Sequence, residues 1–223
     1  LAFGLLLGWY AGVVITCLLL VDVVYSLRPV RISHRPYMVG ITLTFGYVVG
    51  PFLIGLLSQG GDLKDIDQLL LFGLSLIFWG RIILKDFRDR VGDSAVGKET
   101  LLSRLGKANL LYASQLAIVL GLSVLCVSSL TLAAKIAVVI VGGIGIMLIN
   151  QINTVPEGDE EQKLIGVSAR MGNGALSLII TDLLLVKYAE YSVLIIIMLG
   201  VIYVVNAYKL WSHRDRIKLG YKG

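Results

Sequence analysis

The sequence predicts an all-α fold, a polytopic transmembrane helical bundle of about seven spans, and three observations carry that prediction. Of 223 residues, 57% are hydrophobic and 16% charged, with a mean hydropathy of +0.84. Soluble domains run at about 45–50% apolar and about 25% charged. Apolar runs close to the roughly 20 residues needed to cross a bilayer recur at 3–25, 37–58, 67–85, 108–129, 131–150, 165–187 and 190–210. Lipid offers no partner to an open backbone, so such runs are expected as helices rather than strands.

The runs differ in quality. The turn between the fourth and fifth is only Ser128, Ser129 and Leu130, and the sixth carries Arg170 and Asp182. Ionisable groups at such depth are costly and face a bundle interior. Arg170, near the end of its run, can also snorkel. Small residues recur at Gly4, Gly8 and Gly12, at Gly46, Gly50 and Gly55, and at Gly142, Gly143 and Gly145, and predict close helix packing. Asn150, Gln151 and Asn153 close the fifth run and read as helix-end caps. Cys17 and Cys126 sit inside apolar segments without metal-ligand spacing, so they read as core. The chain reads as one domain, 1–223. The lack of an initiator Met, with an apolar run under way at Leu1, leads us to expect further sequence upstream.

Charge orders the loops. The net charge of +5 gives no nucleic-acid signal, because the basic residues are dispersed among short loops. Arg28, Arg31, His34 and Arg35 fall in 26–36; Lys85, Arg88, Arg90, Lys98, Arg104 and Lys107 fall in 85–107. The tail adds Arg214, Arg216, Lys218 and Lys222, with His213 among them and read as solvated. Asp62, Lys64 and Asp65, and then Lys187 and Glu190, belong to the other face. The positive-inside rule puts the three basic segments in the cytoplasm, together with the acidic loop 151–163, since acidic residues weigh little in it.

Two constellations point to chemistry. Asp86, Asp89 and Asp93 stand at i, i+3 and i+7, so a helix places all three carboxylates on one face. Like charges stacked at a membrane boundary persist most easily against a cation, and Mg2+ held there keeps positions for phosphate oxygens. Gly92 and Gly97 let the chain turn, and Thr100 can cap the segment after it. A solvated loop of Asp–Arg pairs, such as Asp86 with Arg90, is the competing reading. The second constellation is Tyr25–Pro36, YSLRPVRISHRP. Tyr25 is either an interfacial anchor or part of a site, and Arg28, Arg31 and Arg35 are either topology charges or an anion-binding rim.

Together the two stretches resemble the UbiA superfamily of intramembrane prenyltransferases. That family carries D-x-x-D-x-x-G-D, then G-x-x-T-L and a further Gly, found here as Asp86, Asp89, Gly92 and Asp93, then Gly97, Thr100, Leu101 and Gly106. Its Tyr-Ser-x-Pro-Pro-x-Arg/Lys-x-Lys-Arg loop is met by Tyr25, Ser26, Pro29 and Arg31, with Arg28 in place of the first Pro and Ser33 and His34 in place of Lys-Arg. The resemblance implies a nine-helix fold with 1–24 near the fourth helix. It places a first motif, N-D-x-x-D-x-x-x-D, upstream of these residues, and three spans after the second motif where four apolar runs are visible. It further implies a multi-pass, Mg2+-dependent transferase that moves an isoprenyl group from an isoprenyl diphosphate to an aromatic or lipid acceptor among membrane lipids. On that implication Asp86, Asp89 and Asp93 hold metal, Asp89, Asp93 and Tyr25 serve catalysis, and Arg28, Arg31, Lys85 and Lys98 bind the diphosphate. A non-catalytic or transporter-like bundle with structural aspartates is the alternative.

Overall fold

The structure, a computed structural model, describes residues 8–58, 60–61 and 67–212. Gly4, Asp62, Lys64, Asp65 and the tail from His213 onward lie outside the described residues, as do the side chains of Arg170 and Asn173. Among the described residues the regular structure is entirely helical. Among the described residues five helices are each long and apolar enough to span a membrane, or six if the bent pair Gln68–Ile82 and Lys85–Ala95 counts as one span. The remaining apolar run, 190–210, is the helix Ser192–Ser212. Contacts divide the chain into two compact units, Leu1–Ser129 and Leu130–Gly223.

In the first unit, α1 (Trp9–Ser26) is followed by a turn and by α2 (Pro36–Ser58). Pro36 opens α2 at a position where its missing N–H has no partner to lose. Pro51 lies further along and cannot donate to the Tyr47 carbonyl four residues back, so the helix widens to a π-turn over Phe45–Val49. There the Gly50 N–H reaches the Phe45 carbonyl instead. Gly50 also sets the approach of α1, since a Cβ on it would lie 2.5 Å from Leu18 Cδ2.

The tightest packing joins α3 (Gln68–Ile82) to α5 (Leu101–Cys126). A Cβ on Gly80 would sit 2.8 Å from the Ser114 carbonyl oxygen, and one on Gly121 would sit 2.8 Å from that of Gly73. The backbones can approach because those Cβ atoms are missing, which is how helices associate where water supplies no hydrophobic drive. The fully buried Ser114 hydroxyl donates to the Gly80 carbonyl at 2.6 Å. Of the glycines singled out from spacing, Gly50 makes a close approach, whereas a Cβ on Gly46, Gly55, Gly143 or Gly145 would meet nothing within 4 Å.

Asp67 ties the far ends of this pair together. One carboxylate oxygen caps α3 by accepting the Leu70 N–H at 2.8 Å, and the other accepts the Ser129 N–H just beyond α5 at 3.0 Å. Partial burial pushes this carboxyl up, but the hydrogen bonds from Ser129 and from the Leu70 and Leu69 N–H groups outweigh burial and hold it below the usual carboxylate value.

The second unit contains α6 (Leu132–Thr154), α7 (Asp159–Lys187) and α8 (Ser192–Ser212). Asp182 of α7 accepts the Thr131 hydroxyl and, at 3.1 Å, the Thr131 N–H, while Thr131 caps α6. The intramembrane carboxylate therefore has a structural partner. The loop expected at 151–163 is shorter: α6 runs through Asn150, Gln151 and Asn153, so these residues belong to its last turns rather than capping it. Asp159, Glu160 and Glu161 form the first turn of α7, where negative charge complements the helix dipole.

Gly80→Ala is expected to destabilise the protein by about 1–3 kcal/mol through overpacking. Gly143→Ala, with open space around it, should be neutral or stabilising by up to about 1 kcal/mol. Thermal unfolding in detergent micelles checks both, and equal losses would contradict the assigned interface. Removing the cap with Asp67→Ala should cost about 1 kcal/mol. Because the folded carboxyl is held low, its stabilisation is present above the ordinary carboxylate value and lost as pH falls through the lower folded value. The difference between wild type and Asp67→Ala should accordingly shrink in acid.

Candidate active site

The chain bends by 47° between α3 and the next helix, α4 (Lys85–Ala95). Four aspartate, arginine or lysine residues precede Gly92 within α4 besides Lys85 itself, so this helix belongs outside the hydrocarbon, at the end of the apolar α3. Phe87 is fully buried and keeps α4 against the unit, and the Arg90 guanidinium lies 5.5 Å from its ring centre.

Asp86 is buried, and one of its oxygens accepts the Leu101 N–H at 3.0 Å, at the first turn of α5. That bond closes the segment between α4 and α5 into a loop. Thr100 caps α5 as its position suggested, in a reciprocal box with Ser103. Burial pushes the Asp86 carboxyl up, against the opposing pull of Lys85, of the Leu102 and Leu101 N–H groups and of Lys98.

The end of α4 explains Gly97. The Gly97 N–H bonds to the Ser94 carbonyl at 3.1 Å and the Lys98 N–H to the Asp93 carbonyl at 2.9 Å. This is a Schellman turn, and it requires the left-handed conformation that Gly97 adopts at φ 63°. It sets Lys98 directly beside Asp93, and the Lys98 ammonium reaches both Asp93 oxygens, at 3.0 and 3.1 Å. Asp89 is more exposed and accepts from the neighbouring Arg88 at 2.9 Å. Gly106 holds a second left-handed conformation, at φ 75°, and kinks α5.

Electrostatic neighbours show which distant residues converge. Lys85 feels Lys98, Asp86, Asp89 and Asp93; burial and Lys98 push its ammonium down, and the three carboxylates oppose them. The Tyr25 hydroxyl, at the end of α1, lies in electrostatic reach of Lys98, Tyr47, Asp86 and Asp93. A narrow cleft runs beside this group, with Lys85, Asp86, Lys98 and Glu99 on its polar side and Val39 and Ile83 on its apolar side. Arg28 is exposed and Arg31 half-buried, and neither has an ion-pair partner among the described residues. The fold thus gathers Tyr25, Lys85, Asp86, Asp89, Asp93 and Lys98, while Arg28 and Arg31 remain in the turn after α1.

Three residues join the site that the motifs did not single out. Glu99 binds Arg104, whose guanidinium lies 5.6 Å from the Tyr37 ring centre at the start of α2. Tyr47 lies in the π-turn, its ring 5.9 Å from that of Phe78. The signal for Tyr47 was Pro51, four residues later. Glu99 and Tyr37 had no pattern to mark them: each meets Arg104, and the Tyr37 contact needs α2 and α5 already in place.

The family model for the UbiA prenyltransferase family matches residues 1–167, which include both motif segments. The chain belongs to this family. UbiA proteins are helical membrane proteins whose general activity is prenyl transfer, and the apolar helices make this one a multi-pass membrane protein. No curated protein and no solved structure matches the chain.

UbiA enzymes are in general Mg2+-dependent, so the donor set matters. Among the described residues no three carboxylate, imidazole or thiol groups converge to enclose an ion by themselves. Mg2+ usually takes one or two carboxylates and leaves its other positions to water and substrate phosphates. The residues fit that manner of binding. They are hard oxygen donors on one helix face, and both Asp93 oxygens already grip a single cation, the Lys98 ammonium.

Asp86→Ala should cost about 1–3 kcal/mol by leaving the buried Leu101 N–H unpaired, whereas Asp86→Asn, which keeps an acceptor, should restore most of that loss in thermal unfolding. Gly97→Ala should destabilise by roughly 1 kcal/mol or more, because L side chains disfavour its left-handed conformation.

Proposed function

We propose that this protein transfers an isoprenyl group from an isoprenyl diphosphate to an aromatic or lipid acceptor within the membrane, with Mg2+ as cofactor. The observation that carries the reading is the gathering of Tyr25, Lys85, Asp86, Asp93 and Lys98 beside one cleft, where α4 turns away from the apolar α3. A diphosphate needs this mixture of cations and metal-binding carboxylates, and an isoprenyl tail needs apolar surroundings within reach.

Asp89 and Asp93 on the open face of α4 hold the metal, with Asp86 fixing that face and lending its remaining acceptor capacity. Lys85 and Lys98 bind the diphosphate oxygens, and Arg28 and Arg31 add positive charge from the turn after α1. When bound, Mg2+ neutralises charge on the leaving diphosphate. The ammonium groups stabilise the same developing charge as the allylic C–O bond breaks. Tyr25 presents an aromatic face, which attracts the positive charge left on the allyl group. Apolar helix surfaces keep water from capturing it until the acceptor attacks. The motif segments face the cytoplasm, where charged donors are made available.

The test uses full-length protein in lipid nanodiscs, with Mg2+, an isoprenyl diphosphate and candidate acceptors. Diphosphate release should require Mg2+, stop on chelation, and fall by about 100-fold or more in Asp93→Asn. A folded wild-type protein that binds isoprenyl diphosphates but shows no Mg2+-dependent release with any acceptor would favour a non-catalytic bundle.

A further inference from the structure

The Lys98 ammonium stands where a metal would bind Asp93. It spans both carboxylate oxygens, and each side chain of the pair is only 17% exposed, so solvent screens the attraction incompletely. The Schellman turn fixes both backbones, leaving the long lysine side chain as the part free to move. Lys98 also lines the cleft, together with Lys85 and Asp86. Lys85 is a second cation on the same cleft, so a diphosphate there has two ammonium groups within reach.

We propose that Lys98 is a built-in counter-ion that occupies Asp93 until a diphosphate draws it away, so that divalent metal and diphosphate bind as a pair. This deepens the reading of the cleft as a diphosphate site and rests on it. Without diphosphate, an arriving divalent ion meets a carboxylate already neutralised and an ammonium that repels it. With diphosphate present, Lys98 has a stronger anion within reach, and Asp93 is released to the metal. The same exchange runs backwards when the leaving diphosphate departs, returning Lys98 to Asp93 and expelling the ion.

Mn2+ binding to the full chain in detergent, followed by electron paramagnetic resonance with and without an unreactive isoprenyl thiolodiphosphate, tests this. In wild type the thiolodiphosphate should tighten Mn2+ binding by about tenfold or more. Lys98→Met should bind Mn2+ alone about tenfold more tightly than wild type and lose most of that coupling. Lys98→Gln provides a second variant of similar size if the first does not fold, and Lys98→Met with Asp93→Asn should abolish the gain. Wild-type thiolodiphosphate binding with unchanged Mn2+ affinity in both Lys98 variants would overturn the counter-ion while leaving the transferase reading standing. No thiolodiphosphate binding to folded wild type would overturn both.

Discussion

A carboxylate buried at the end of an apolar helix is costly unless something donates to it, and Asp86 meets that requirement with the Leu101 N–H at 3.0 Å. The rest of the site depends on this bond. It fixes the start of α5 against the start of α4, so the chain between them must return within a short distance. The return is made by the turn at Gly97, and that turn places Lys98 beside Asp93. Asp86 is thus an architectural residue first, leaving Asp89 and Asp93 on the more accessible part of the same face.

The support beneath is equally specific. α3 and α5 meet through missing Cβ atoms at Gly73, Gly80 and Gly121 and through the buried Ser114–Gly80 hydrogen bond. Asp67 binds the opposite end of the pair by joining the start of α3 to the residue after Ser128. A pair held at both ends and packed backbone to backbone resists sliding, which gives α4 a firm base from which to turn.

The helical spans were legible because lipid imposes one rule on every spanning segment, and runs such as 37–58 and 108–129 obey it plainly. The helix at 85–95 and the cap that Thr100 gives the next helix were legible from carboxylate spacing and turn residues. Gly50 was legible as a packing glycine, but those that join α3 to α5 were not. Gly73, Gly80 and Gly121 matter because of what faces them on another helix, whereas the close spacing of Gly143 and Gly145 carries no information about a neighbour. Asp182 looked anomalous along one helix because its partner, Thr131, lies 51 positions away in sequence. For the site, the resemblance supplied the candidate residues, but the direct grip of Lys98 on Asp93 and the burial of Asp86 required the fold. The same is true of Tyr47, which enters through a π-turn that Pro51 imposes from four residues downstream.

On the proposed function, carboxylates on α4 and the phosphate oxygens of a donor share one metal ion. Phosphorus electron–nuclear double resonance of bound Mn2+, with an unreactive isoprenyl thiolodiphosphate, measures that sharing directly. A strong phosphorus coupling is expected in wild type, with the protein-bound signal lost when Asp89 and Asp93 are both changed to Asn. Bound Mn2+ without phosphorus coupling, or a coupling that survives the loss of both carboxylates in the protein-bound signal, would contradict it.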